Sequence, residues 1–305
     1  MKRTVVGLVT AAVAVLGLTA CGGSSNPLSS GSGSSSSGGS ITIGSGNFAE
    51  SKLLAEVYAG ALRAKGVTVT EHLNIGSREV YFPALKDGSI DLIPDYSGTL
   101  LQYLDKTATQ VSPTDVYTAL KQQLPKGLSA LDMASAQDKD AIVVTQATAN
   151  QYHLKSITDI APLCGRFTFG GPPELQTRPD GLPGFKAHYN CVFGTFKALD
   201  AGGPLTIGAL KNGNVQAADI FTTDASIKAD NFVVLDDPQN NFAAQNVVPI
   251  INTAKDNATI SAALNAVQAK LDTATLAQLD ATLAGPSHPD AATVAGNWLK
   301  SVGLG

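Results

Sequence analysis

The sequence predicts an α/β protein of two lobes with a ligand cleft between them. The chain has 305 residues, and the folded part that follows residue 40, about 265 residues, suits two lobes better than one hydrophobic core. Short apolar strands alternate with amphipathic helices in its first half, which is typical of a parallel sheet. A unit made of a helix end, a glycine, an apolar strand and an aromatic residue occurs twice, at 84–96 and at 209–221. Together these observations predict one α/β unit in each lobe.

The two copies of this unit also predict where a ligand binds. The strand of the first copy ends at Tyr96, and that of the second ends at Phe221. Ligands of open α/β sheets bind just beyond the carboxyl ends of the strands. Tyr96 and Phe221 are therefore predicted to face one shared cleft, and hydroxyl residues follow both of them. The alternative is chance, because a helix, a turn and a strand often follow one another in α/β proteins.

The first lobe is predicted to begin with a βαβαβ unit, which implies a parallel sheet. Asn47 stands three residues before Glu50, a capping-box spacing that predicts Asn47 as the cap of the first helix. A further, polar-rich helix is expected after Thr114. The predicted strands of the unit are 41–43, 67–73 and 90–93, and its helices are 47–62 and 76–85.

The remaining elements predict a second lobe and a return of the chain to the first. A strand at 141–145 is expected to cross to the second lobe, and one at 247–251 is expected to return, followed by C-terminal helices. Two crossovers of this kind allow hinge closure around a ligand. The second lobe is predicted to contain strands at 167–169 and 232–235, a strand that ends at Phe221 and a helix near Leu210. We place the first lobe at 41–143 and 245–305 and the second at 144–244.

The N-terminus predicts export and a lipid anchor. Two basic residues precede an apolar run at 4–18 that is too short for a comfortable membrane span. The sequence Leu-Thr-Ala-Cys that ends at Cys21 resembles a bacterial lipobox, so residues 1–20 are predicted to be a lipoprotein signal peptide and Cys21 the lipidated residue. An ordinary secretory signal is the alternative. Residues 21–40 are almost wholly Gly and Ser and predict a flexible tether. The protein is therefore expected outside the cytoplasm, lipid-anchored to the cell membrane.

Two further cysteines, Cys164 and Cys191, predict a disulfide, since such a pair outside the cytoplasm forms a bridge more often than a redox or metal site. Two free thiols are the alternative. The sequence contains no CxxC motif and no Cys/His cluster, so neither a metal nor a cofactor is expected.

Composition argues against nucleic acid as a partner and against catalysis. The formal charge is −4 and the basic residues are scattered, without the basic patch that nucleic acid requires. The four histidines lie far apart, and no HExxH, GxSxG or P-loop motif is present, so we expect a protein that is not an enzyme. A hydrolase with a triad assembled in space and an adhesive surface lipoprotein are the rival classes. A monomer is expected.

Characteristic motifs occur in the segments 44–50, 78–86, 95–99, 178–181 and 222–224. Together they resemble the substrate-binding proteins of osmoprotectant ABC importers, which take up glycine betaine, choline and carnitine. The resemblance covers nearly all of residues 41 to 305 and implies a type II periplasmic-binding-protein fold. It also implies a receptor that delivers a small solute to an ABC permease and its ATPase subunit, without catalysing a reaction.

The resemblance also implies a binding site of known chemistry. In this family an aromatic box holds the quaternary ammonium by cation–π attraction, and a basic group with a hydroxyl holds the carboxylate. Tyr96 and Phe221 match two walls of the box, Thr99 matches the hydroxyl and Arg178 matches the guanidinium. The alternatives for Arg178 are a solvated side chain and a salt bridge with a nearby acid such as Glu174 or Asp180.

Other positions depart from the family pattern and open an alternative ligand class. Asp138, Asp140 and Gln245 stand near positions where the family has aromatic residues, so only two of four walls are kept. A lysine of the first loop is replaced by Gly46. Loop amides near Asn47 are expected to face the cleft. If the box is depleted, a flat aromatic or polyhydroxy solute, sandwiched by the two rings and hydrogen-bonded by Gln245 and Asp140, is the alternative.

Two charged neighbours outside this set, Arg78 and Glu79, have two interpretations. They form either an ion pair on the face of a helix or a docking patch for the permease, and we favour the structural interpretation.

Overall fold

The structure, a computed structural model, describes residues 39–305 and contains two five-stranded sheets. The predicted signal peptide, the lipidated Cys21 and nearly all of the tether lie outside the described residues. The ten strands are β1 (Ser40–Gly46), β2 (Thr68–Gly76), β3 (Leu92–Tyr96), β4 (Leu128–Ala130), β5 (Ile142–Thr145), β6 (Thr168–Gly171), β7 (Thr195–Ala198), β8 (Ala217–Asp219), β9 (Phe232–Val234) and β10 (Val247–Asn252).

Helices cover both faces of each sheet. They are α1 (Ala49–Ala64), α2 (Arg78–Asp87), α3 (Ser97–Leu104), α4 (Pro113–Gln123), α5 (Gln146–Tyr152), α6 (Ile157–Ile160), α7 (Leu182–Tyr189), α8 (Pro204–Lys211), α9 (Ala225–Ala229), α10 (Ala258–Gln268), α11 (Thr273–Leu283) and α12 (Ala291–Ser301). Two 3₁₀ helices span Ala161–Arg166 and Pro173–Gln176. None of the helices in the described residues is long and apolar enough to cross a membrane.

The first sheet has the strand order β2-β1-β3-β10-β4. β1 pairs in parallel with β2 and β3, so the parallel sheet that the βαβαβ pattern predicted is confirmed. β10 runs antiparallel between β3 and β4 and places Val247 opposite Tyr96. The chain therefore returns to the first sheet beside the strand that ends in the predicted ligand residue.

The second sheet has the order β7-β6-β8-β5-β9. β6 is parallel to β7 and β8, whereas β5 is antiparallel to β8 and β9. The strand predicted to end at Phe221 ends two residues earlier, at Asp219, so Phe221 belongs to the turn that follows it. The exact lobe boundaries stay a prediction.

Each sheet is packed on two apolar clusters. In the first lobe, α1, α10, α11 and α12 pack on one face of the sheet through residues such as Leu53, Leu264 and Trp298. α2, α3 and α4 contribute Phe82, Leu100 and other residues to the opposite face. Both faces of the sheet are thereby covered by helices. The carboxyl ends of the parallel strands are left to face the cleft. This explains why polar groups collect there.

The predicted capping box at the start of α1 is wrong. The N-cap residue is Phe48, and no side chain caps this end of the helix. Asn47 lies one residue further out, and the Glu50 carboxylate accepts hydrogen bonds from Tyr96 and Thr223 instead. The capping-box spacing did not predict this end of the helix, because the Glu50 side chain forms hydrogen bonds with residues that are distant in the sequence.

The predicted disulfide between Cys164 and Cys191 is present, with 5.5 Å between the two Cα atoms. It joins the 3₁₀ helix at Ala161–Arg166 to the segment after α7, and both cysteines are buried in the core of the second lobe. The bridge closes a loop of 27 residues and constrains the unfolded chain accordingly.

Candidate functional site

A cavity of about 140 Å³ lies where the ends of β3 and β8 face each other. Cavities of about 150 Å³ hold a molecule the size of benzene, so the space suits a small solute. Seven of the eight predicted ligand residues line this cavity; they are Asn47, Tyr96, Thr99, Asp138, Asp140, Arg178 and Phe221. The duplicated unit thus brings its two aromatic residues to one cavity.

Three aromatic rings stand together at the cavity. The Phe48 ring centroid lies 6.0 Å from that of Tyr96 and 5.3 Å from that of Phe221, so Phe48 stands between the two predicted rings. All three rings line the cavity, and Tyr81 lines it as well. Sequence reasoning missed Phe48, although it lies in the segment 44–50 that carries the family resemblance. The cavity therefore has more aromatic surface than the two expected walls.

Glu50 connects the aromatic wall to the second lobe. The Tyr96 hydroxyl donates a short hydrogen bond to Glu50 Oε1, and Thr223 Oγ1 donates one to Oε2 at 2.9 Å. Burial and the negative charge of Asp280 raise the pKa of Glu50 well above its usual value. A group on α1 thus fixes both the Tyr96 ring and the turn after β8.

Asp138 is held by the same turn. Its Oδ1 accepts hydrogen bonds from the Thr223 backbone N–H at 3.0 Å and from Thr222 Oγ1 at 3.1 Å. Both bonds go to one oxygen, Oδ1. Burial and the charge of Glu50 raise the pKa of Asp138. A bound cation reverses this effect, because a nearby positive charge favours the ionised carboxylate.

The two guanidinium groups at the cavity each have a carboxylate partner. Arg78 Nη2 donates to Asp95 Oδ1 at 2.6 Å, and Tyr81 donates to Asp95 Oδ2 at 2.9 Å. Arg178 donates from Nε and Nη2 to the two carboxylate oxygens of Glu79, at 3.0 and 2.9 Å.

These contacts correct two expectations about the arginines. Arg78 and Glu79 do not pair with each other, because successive residues on a helix point in different directions. Arg178 pairs with Glu79 on α2 and not with Glu174 or Asp180. Its partner therefore comes from across the cleft and not from its own loop.

Gln245 is the one predicted ligand residue that does not line this cavity. Its side chain is buried, and Oε1 accepts hydrogen bonds from the backbone N–H groups of Gly98 and Thr99 at 3.0 and 2.9 Å. These are free N–H groups at the N-terminus of α3, which need an acceptor. Gln245 thus supports the helix that presents Thr99 to the cavity.

No cluster of metal-ligating side chains was found within residues 39–305. The chemistry that the site offers is non-covalent: aromatic faces, carboxylates and paired guanidinium groups around a small space. Such a surface attracts a cation through the rings and through the negative charges.

Two α/β lobes with a small polar and aromatic cavity between them define a solute-binding protein of the type II periplasmic fold. The chain belongs to the family described as the substrate binding domain of ABC-type glycine betaine transport systems, which matches residues 39–301. Its members are transport proteins that act outside the cytoplasm. The predicted family and fold are confirmed, and the chain is a substrate receptor of an ABC transporter. The alternative ligand class, a flat aromatic or polyhydroxy solute, is not favoured.

Individual relatives agree with this assignment. The chain is 27% identical over 277 residues to the glycine betaine-binding protein YehZ of Escherichia coli, covering 86% of this chain and 90% of the relative. It is 25% identical over 255 residues to the glycine-betaine-binding protein of Pseudomonas aeruginosa, covering 79% and 81%. The crystal structure of a glycine betaine/carnitine/choline ABC transporter superposes with a TM-score of 0.68 at 24% identity, over 87% of this chain and 99% of that one.

Proposed function

We propose that the cavity binds a quaternary ammonium solute, such as glycine betaine or choline, and that the protein delivers it to an ABC permease. The observation that carries the proposal is the group of three rings, Phe48, Tyr96 and Phe221, around a cavity of about 140 Å³. A quaternary ammonium has no N–H group to donate, so aromatic faces are what binds it. The names of the relatives from Escherichia coli and Pseudomonas aeruginosa support the same ligand class.

The third ring changes the expected strength of binding. Each cation–π contact contributes about 0.5–2 kcal/mol, so a box with three rings recovers part of the affinity that a box with two rings lacks. Phe48 is only partly buried and stands at the start of α1, where its ring reaches both neighbours without disturbing the helix core. The site is therefore equipped for an ammonium group despite its departures from the family pattern.

Contacts between the lobes support ligand-dependent closure. Arg178 reaches Glu79 across the cleft on one side, and Thr223 reaches Glu50 on the other. Closing the lobes brings these partners together and buries a solute between them. We propose that the permease, with its ATPase subunit, recognises this closed form.

The proposal also includes a location at the cell membrane, through a lipid anchor on Cys21. Cleavage before Cys21 and lipidation of that residue would tether a monomeric receptor to the outer face of the membrane through the Gly/Ser segment 21–40. The lobes extend over 41–143 with 245–305 and over 144–244. Mass spectrometry of the protein purified from membranes tests the anchor, because a diacylglyceryl group adds a defined mass to the N-terminal peptide.

Removal of a ring should weaken ligand binding. We expect Phe48→Ala and Phe221→Ala each to lower the affinity for glycine betaine and choline by about 2- to 30-fold, the equivalent of one cation–π contact. Isothermal titration calorimetry of the purified protein measures this. Tyr152→Ala, which removes a ring in the second lobe away from the cavity, should leave the affinity unchanged. Equal affinities for the Phe48 variant and this control would contradict the assignment of Phe48 to the ligand site.

A further inference from the structure

Arg178 is the guanidinium that the family resemblance assigns to a ligand carboxylate, but the structure commits it elsewhere. Two of its N–H groups donate to the two oxygens of Glu79, in the parallel geometry that gives the strongest such pairs. Arg178 lines both the cavity between the two rings, here called the central cavity, and a neighbouring cavity of about 130 Å³, whereas Glu79 lines only the neighbouring one. Glu79 therefore holds the guanidinium from the side of the neighbouring cavity.

The pair of Arg178 and Glu79 is ionised at neutral pH. Partial burial opposes ionisation of Glu79, but the hydrogen bonds and charge of Arg178 outweigh it and lower the pKa of Glu79 to about 2. The Arg178 side chain is 18% exposed and that of Glu79 is 40% exposed, so the guanidinium is largely shielded from solvent while the carboxylate is partly open to it. Glu79 occupies the Nε–Nη2 edge of the guanidinium and neutralises its charge, so a ligand carboxylate finds only the remaining N–H groups of an ion pair that is already neutral.

The guanidinium of Arg78 is also paired with a carboxylate, so it does not replace Arg178 as a partner for a ligand carboxylate. Arg78 is buried, with three hydrogen bonds to the Asp95 carboxylate, and Tyr81 and the Tyr96 backbone N–H donate to the same carboxylate. Within the described lining of the central cavity, Arg78 and Arg178 are the only basic side chains. Neither is without a carboxylate partner.

The other charged groups of the lining are acids: Asp138, Asp140, Glu174 and Asp200. The Asp200 carboxylate is occupied, because it accepts hydrogen bonds from the backbone N–H groups of Leu205 and Thr206 in the first turn of α8. Asp138 and Asp140 lie on the crossover segment beside the rings. A solute with a lone positive charge is attracted by these acids, whereas a zwitterion also brings its carboxylate close to them.

We propose that Glu79 sets the charge class of the solute: by holding Arg178 across the cleft, it makes the site select a quaternary ammonium without a carboxylate, such as choline, over a zwitterionic betaine. This inference rests on the proposed binding of quaternary ammonium solutes. Glu79 acts as a positioning residue, since it reaches the ligand only through Arg178.

Calorimetric titration of the purified protein with choline chloride and with glycine betaine tests the preference. We expect choline to bind at least about tenfold more tightly. Tighter binding of betaine would overturn the inference and leave the proposed function intact. Binding of neither ligand would overturn both.

Substitution of Glu79 tests the cause of the preference. In Glu79→Gln the guanidinium is released, and the ratio of betaine affinity to choline affinity should rise by about tenfold or more. A change in lobe closure alone would alter both affinities together and leave the ratio constant. In the background Arg178→Gln, the substitution Glu79→Gln should no longer change the ratio.

Glu71→Gln is the matched control, because Glu71 forms a similar ion pair with Arg63 at 2.7 Å on the surface of the first lobe. It should leave the ratio unchanged. A ratio that is equally unaffected in Glu79→Gln, with thermal stability like that of the parent protein, would overturn the role assigned to Glu79.

Discussion

Replacement of Asp95 by Ala is expected to lower the free energy of unfolding by about 3–5 kcal/mol, the cost of leaving a buried charge without its partner. The Asp95 side chain is 0% exposed and its partner Arg78 is 6% exposed. Asp95 also accepts hydrogen bonds from the Tyr81 hydroxyl and from the Tyr96 backbone N–H. All of these donors would lose their acceptor in the variant, and the guanidinium would remain buried. Urea unfolding at neutral pH measures the effect.

The control for this prediction is the pair between Arg63 and Glu71, whose side chains are 47% and 21% exposed. Glu71→Ala should cost no more than about 1 kcal/mol, since water screens and replaces the contact. The double variant Arg78→Met with Asp95→Leu should be more stable than Asp95→Ala, because it removes both buried charges together. Similar losses for Asp95→Ala and Glu71→Ala would show that the buried pair is not what stabilises this end of β3.

The second large effect concerns pH, and its direction is unusual. Burial and the charge of Asp140 raise the pKa of Asp180 to about 7, and burial and the charge of Asp138 raise that of Asp280 to about 7. Burial also raises the pKa of Glu50 and of Asp138. These carboxyls bind protons in the folded protein at pH values where they have already ionised in the unfolded chain, near pH 4.

The free energy of unfolding should therefore fall as the pH rises from about 4 to about 7, because the folded state binds more protons in that range. One carboxyl whose pKa is shifted from its usual value to about 7 lowers the free energy of unfolding by up to about 4 kcal/mol over this pH range. Glu79 acts in the opposite sense, since its pKa of about 2 adds stability that is lost only as the pH falls below 4. The stability maximum is thus expected near pH 4–5 and not at neutral pH.

Asp180→Asn isolates one contribution to this slope. Both carboxylate oxygens of Asp180 are buried without a hydrogen-bond partner among the described residues. The variant should be more stable than the parent protein at pH 8 by up to about 4 kcal/mol and nearly equal to it at pH 4. Urea unfolding at both pH values measures the difference, with the exposed substitution Asp132→Asn as the control. A pH dependence identical to that of the parent would contradict the raised pKa.

The sequence predicted the parts of the fold that depend on local pattern. Apolar residues at helical period located α1, and the order of strands and helices was enough to predict the parallel pairing of β1, β2 and β3. The recurrence of one strand-ending unit brought Tyr96 and Phe221 to the same cavity. In each case the sequence pattern lies within a short segment. Burial of one face of the helix or strand is what makes the chain follow that pattern.

The sequence did not predict contacts between distant segments. Arg178 and Glu79 are 99 residues apart, and Glu50 and Thr223 are 173 residues apart. Their pairing depends on how the two lobes face each other, which no local spacing records. Phe48 was missed for the same reason, because its ring gains its role only where Phe221 approaches from the other lobe.

The three rings of the cavity are proposed to bind the positive charge of a quaternary ammonium. The most direct test compares the affinity of choline with that of its uncharged isostere, in which a carbon atom replaces the nitrogen and the shape is kept. We predict that choline binds at least about tenfold more tightly, because only the cation gains attraction from three aromatic faces and the neighbouring carboxylates. Equal affinities for the two molecules would contradict the account, since the cavity would then select shape and apolar surface and not charge.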